Sequence, residues 1–127
     1  GGNSGTQTLT VMVRGLALGE VSWESGKSIL LKEIKVGINN GIAIGIIAGT
    51  VAYLWKGNYM LGLVLGGAMT INIVVAGVVG TLVPLILKKL NVDPAIASSI
   101  FVTTFTDAVG FLSFLGLATV LLHHFPV

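Results

Sequence analysis

Residues 94–122, PAIASSIFVTTFTDAVGFLSFLGLATVLL, decide the fold of this chain, because Asp107 is the only charged residue in the stretch. A helix rises about 1.5 Å per residue, so a run of this length more than crosses a hydrocarbon core roughly 30 Å thick. A carboxylate at bilayer depth costs about 3 kcal/mol on insertion scales. A chain that keeps one there uses it for a cation, for a proton or for a buried partner.

Working outward, two more runs have the same character. Residues 36–55 and residues 58–87 contain no charged side chain. The first matches the core thickness, and the second is long enough to require tilt or a bend. Pro84 stands near its end, where it can bend the last turn. Over all 127 residues, 54% are hydrophobic and 9% charged, against about 25% charged in soluble domains. Too few charges exist to cover a soluble surface. The composition therefore predicts an all-α integral membrane protein, a bundle of transmembrane helices. The net charge of +2 rests on scattered lysines, which argues against nucleic-acid binding. The absence of cysteine removes disulfides and thiolate metal sites.

The remaining segments are mixed. Residues 1–19 are part polar and part apolar and read as a partial helix. With no initiator Met and no signal-peptide pattern ahead of it, that opening predicts a piece of a longer protein. Residues 20–35 carry three acids and three lysines among Trp23, Ile29, Leu30, Leu31 and Ile34. They read as a loop followed by a short interfacial helix, with Trp23 as a headgroup anchor. Spans are expected at 36–55, 58–87 and 94–122. Lys27, Lys32 and Lys35 precede the first span and Lys88 and Lys89 follow the second. The positive-inside rule makes loops 20–35 and 88–93 cytoplasmic and puts the His123–His124 end outside. The expected location is the cell (inner) membrane.

Gly37, Gly41, Gly45 and Gly49 repeat every four residues along one face. Such a face lets backbones approach closely in lipid, within one subunit or between two. On the Asp107 helix, Ser99, Thr103, Thr106, Asp107, Gly110 and Ser113 recur at helical spacings and form one small, polar stripe. Asp107 lies about 20 Å past the helix start at Asp93–Pro94, near the bilayer midplane. The stripe suits the wall of a hydrated cavity. Asn3, Ser4, Thr6 and Gln7 supply further side-chain oxygens, among glycines that allow close approach. Oxygen donors with a single carboxylate suit a hard, largely hydrated cation such as Mg²⁺. They suit neither zinc nor copper, since the chain lacks Cys and its only histidines are the adjacent His123 and His124. Asn39, Asn40 and Asn72 read as interhelical hydrogen-bonding residues. Glu33, among lysines, reads as their partner or as a guard at a pore entrance. No nucleophile–base pair, phosphate loop or acid pair is present, so an enzyme is not expected.

Four ordered stretches resemble the membrane domain of the MgtE magnesium channels and transporters: GGNSGTQ at 1–7, LKEIKVG at 31–37, LKKLNVDPAIASS at 87–99 and FVTTFTDAVGF at 101–111. Their order and spacing together cover essentially the whole chain. The resemblance implies a homodimer with five transmembrane helices per subunit, of which this chain lacks the first. It also implies cytosolic regulatory domains, including a CBS pair, that close the pore when cytosolic Mg²⁺ is plentiful. The second and fifth helices would line the pore, with Asp107 as the central Mg²⁺ residue. The Thr103 carbonyl one turn earlier and Asn3 would contribute to the same metal site. Ser99, Thr106, Gly110, Thr6 and Gln7 would line the pore. At Ser99–Ile100 this chain departs from the Asn or Gly followed by Pro that is common in the family.

The expectation is Mg²⁺ transport through a pore at a homodimer interface in the lipid bilayer, with hydrated Mg²⁺ held by paired midplane aspartates. Two other readings stay open: a cation:proton exchanger using the same aspartate, and a membrane assembly module that transports nothing.

Overall fold

The computed structural model describes residues 1–124, and these form four helices. They are α1 (Gly2–Ala17), α2 (Trp23–Lys56), α3 (Tyr59–Lys89) and α4 (Pro94–His124). Three of them, α2, α3 and α4, are long and apolar enough to cross a membrane. The chain is all-α, as its composition predicts.

Local chemistry sets the boundaries. The Ser22 N–H donates to the Ser25 hydroxyl at 2.9 Å, which fixes the start of α2. Gly57 ends α2 in the left-handed region at φ 70, where a residue without Cβ carries no strain. Asn58 then accepts from the Met60 N–H at 2.9 Å and starts α3. Between α3 and α4, Asp93 accepts from the Ala95 N–H at 3.0 Å, with Pro94 as the first helical residue. α3 runs through Pro84 to Lys89 as one helix.

Residues 23–35 differ from the sequence expectation of a separate interfacial helix. They continue unbroken into the span at 36–55, so α2 is a single helix of 34 residues. It is about 51 Å long and overshoots a hydrocarbon core by some 20 Å. The charges mark where such a helix leaves the apolar layer, but nothing between Lys27 and Val36 interrupts its backbone hydrogen bonding.

α3 is the hub and packs against α1, α2 and α4, while α1 also packs against α4. The α2–α3 contact is antiparallel and built on glycine. A Cβ at Gly37 would meet the Val74 backbone at 3.1 Å, and one at Gly41 would meet the Thr70 backbone at 2.9 Å. At Gly45 and Gly49 it would come within 2.7 Å of the Gly66 and Gly62 carbonyl oxygens. Steps of four up α2 thus match steps of four down α3, and the backbones touch where side chains would otherwise stand. At one end of this pair the Lys89 ammonium sits 4.2 Å from the Trp23 ring centroid, a cation–π contact. It places the lysine-bearing start of α2 and end of α3 at the same end of the bundle.

Candidate cation-binding site

α4 turns one stripe inward: Pro94, Ser98, Val102 and Thr106, at intervals of four, are its buried residues. Val102 and Thr106 pack on Gly5 of α1, where a Cβ would come within 2.8 Å of Val102 Cγ1 and 3.5 Å of Thr106 Cγ2. Ser99, Thr103 and Asp107 lie on the outward side of α4 and are exposed. The polar stripe is therefore divided, with Thr106 closing the contact to α1 and Ser99, Thr103 and Asp107 facing away from the bundle.

Asp107 lies at the edge of a groove between α3 and α4 of about 410 Å³, lined also by Asn72, Thr106, Gly110 and Phe111. No other lining residue carries a charge, so no basic side chain in the groove neutralises the carboxylate. Among the described residues, no group of three His, Cys, Asp or Glu side chains could hold a metal ion. Within one chain the site therefore offers one carboxylate and neutral oxygens.

Most hydroxyls nearby are tied to their own helix. Thr103 Oγ1 donates to the Ser99 carbonyl at 2.8 Å, and Thr106 Oγ1 donates to the Thr103 carbonyl at 3.1 Å. The Thr103 carbonyl thus accepts a hydroxyl in addition to its place in the helix. Thr6 Oγ1 donates to the Gly2 carbonyl at 2.8 Å. Each hydroxyl oxygen keeps lone pairs free to accept from water.

α1 packs beside the Asp107 groove, and none of its residues lines it. Asn3, Thr6 and Gln7 are exposed on α1. A Cβ at Gly1 would collide with the Asn72 side chain, and one at Gly110 would meet Asn72 Nδ2 at 2.9 Å, so Asn72 fills a slot between α1 and α4. Gly1 is level with Gly110, and Gly5 is level with Val102 and Thr106. Asn3 consequently lies at the depth of Asp107. Gln7 lines a different groove, between α1 and α2, together with Glu33. Gly45 and Gly49 border an apolar groove of about 500 Å³ with Tyr53 and Tyr59.

Asn72 departs from its sequence reading. Its Oδ1 is enclosed and has no hydrogen-bond partner, where the sequence predicts an interhelical bond. An enclosed amide oxygen without a partner costs about 1–3 kcal/mol. The available signal is its position: a lone amide in the apolar part of α3, one helix away from Asp107.

Comparison with known proteins gives the family. The family model for MgtE, described as a divalent cation transporter, matches residues 1–117. The magnesium transporter MgtE of Bacillus subtilis is 35% identical over 122 residues, which is 96% of this chain and 27% of that protein. Its namesake in Enterococcus faecalis is 36% identical over 124 residues, 98% of this chain and 27% of the relative. That of Thermus thermophilus is 34% identical over 122 residues, 96% and 27% respectively. The chain spans about a quarter of the length of these relatives. It belongs to the MgtE family of divalent cation transporters and is a membrane protein.

Proposed function

We propose, from that membership, that the chain is the pore-forming part of a Mg²⁺ transporter and that Asp107 is the residue the ion meets at the bilayer midplane. The observation that carries the reading is an exposed carboxylate, on a membrane-spanning helix, that no lining residue neutralises. In lipid such a group stays ionised only if it faces water, an ion or a partner. A second subunit would supply the missing half. Two Asp107 carboxylates across a twofold axis would hold one Mg²⁺ that keeps most of its water, as this ion does when given one or two carboxylates.

In this reading Asn3 and the Thr103 hydroxyl and carbonyl bond to the waters of the ion rather than to the ion itself. Ser99, Thr6 and Gly110 lie along the same hydrated path, and Thr106 fixes α4 against α1. Selectivity would follow from the size and charge of a site that fits a hydrated divalent ion. Passage would be passive, driven by concentration and membrane potential. The lysine-rich end, with Lys88, Lys89 and residues 20–35, would face the cytoplasm of the cell membrane. Cytosolic regulatory domains in the full-length protein would gate the pore.

The test is Mg²⁺ flux into liposomes carrying the full-length protein. Asp107→Ala is expected to lower flux at least about a hundred-fold, equivalent to roughly 2.7 kcal/mol at the barrier, while the protein remains folded. Flux at the native rate in that variant overturns the assignment. A native flux that collapses when the proton gradient is dissipated assigns an exchanger instead.

A further inference from the structure

Glu33 is a second carboxylate, to which the proposed passage at Asp107 gives no task. It is half-buried on α2, and its Oε2 accepts from the Thr8 hydroxyl of α1 at 2.9 Å. The other side-chain hydrogen bonds among the described residues join positions four or fewer apart. This one crosses between helices. The groove it borders, about 220 Å³, is lined by Ser4, Gln7, Thr8, Glu33 and Asn40 together with apolar side chains. No basic residue lines it, although Lys32 and Lys35 flank Glu33 in sequence.

We propose that this groove is a second cation site, in which Glu33 holds a hydrated divalent cation and Ser4, Gln7, Thr8 and Asn40 bond to its water shell. The donor set is one carboxylate, two hydroxyls and two amides, all hard oxygen donors through their O atoms. Six waters at about 30 Å³ each occupy roughly 180 Å³, a volume comparable with that of the groove, so the groove does not demand that the ion shed its shell. Gly77 also lines the groove, and a Cβ there would stand 3.3 Å from the Glu33 backbone oxygen. The small residue is what lets α2 settle close enough to bring the carboxylate in.

The site is separate from Asp107. It opens between α1 and α2, whereas the Asp107 groove lies between α3 and α4. Thr8 is five positions beyond Asn3 on α1, which sets Glu33 about 7.5 Å nearer the lysine-bearing end. A cation can occupy this groove whether or not Asp107 passes Mg²⁺.

The probe is a thiol placed beside the groove. Val36 lines it and is 40% exposed, and this chain has no cysteine of its own. In the full-length protein, with any other cysteines replaced, the rate at which a neutral maleimide labels Val36→Cys is measured with Mg²⁺ and with K⁺ at equal ionic strength. At ten times the Mg²⁺ concentration that gives half protection, labelling is expected to slow about ten-fold. Glu33→Gln should remove that protection, Glu33→Asp should retain part of it, and Asp107→Ala should leave it intact. Thr8→Val, which cuts the bond to α1 but keeps the carboxylate, should retain protection at a higher Mg²⁺ concentration. Protection unchanged by Glu33→Gln overturns the proposal. So does protection abolished equally by Thr8→Val, which assigns Glu33 to holding α1, and so does its loss in Asp107→Ala, which assigns the signal to the other site.

Discussion

The α2–α3 pair and the α1–α4 pair use small residues in opposite ways. Along α2 and α3, glycines at intervals of four bring backbone onto backbone until a single Cβ would sit 2.7 Å from a carbonyl oxygen. Between α1 and α4 one glycine, Gly5, makes a similar approach to Val102 and Thr106. Beyond it the polar residues Asn3, Thr6, Ser99, Thr103 and Asp107 are left exposed. The first pair is complete within one chain. The second presents an ionisable face that one chain does not cover. The arrangement separates a close-packed contact, which needs no polar side chains, from a polar face, which needs no close packing.

Substitutions on the two sides should therefore separate flux from stability. The largest effect expected is on flux. Asp107→Asn keeps the shape and removes the charge, and should lower Mg²⁺ uptake by roughly a hundred-fold or more with no fall in the temperature of unfolding in detergent. If uptake survives, the charge of the α4 face is not what the ion meets. Gly49→Val should do the reverse. It pushes α2 off Gly62 at a cost of about 1–3 kcal/mol of overpacking, visible as a lower unfolding temperature, and any fall in flux should track the amount of folded protein. Asn72→Ala should be smaller. It removes an amide whose oxygen is enclosed and unpartnered, a relief of about 1–3 kcal/mol that the space left between Gly1 and Gly110 offsets, so the net change in stability should be about 1 kcal/mol; a loss well above that would mean that a water or ion satisfies the amide in the membrane. Lys89→Ala should be smallest, about 0.5–1 kcal/mol for one cation–π contact near the surface, read as slight fraying at the Trp23 end in hydrogen exchange.

Much of this contrast is legible in the sequence, and the limits are physical. The helical class follows from long uncharged runs in a chain with 9% charged residues. The four-residue glycine period is equally plain, but a period identifies a face and not its neighbour; only the three-dimensional register assigns that face to α3. The division at residue 35 is where charge density falls, and charge does not break a helix. α2 accordingly passes through it. The polar stripe on α4 is real as a spacing. Because the inward face also advances in steps of four, through Ser98 and Val102, it takes Thr106 with it and leaves Asp107 behind. The Thr8–Glu33 bond joins residues 25 positions apart, a separation that no local pattern encodes.

In the proposed dimer, Asp107 of each subunit faces one hydrated cation. The most direct test is a structure of the full-length protein in Mn²⁺, a heavier substitute for Mg²⁺, with the ion located by its anomalous signal. A peak is expected on the twofold axis between the two Asp107 carboxylates, separated from them by a water shell, with no peak in Asp107→Ala. Asp107 side chains turned to lipid or to another helix, with no ion between them, would contradict the proposed arrangement.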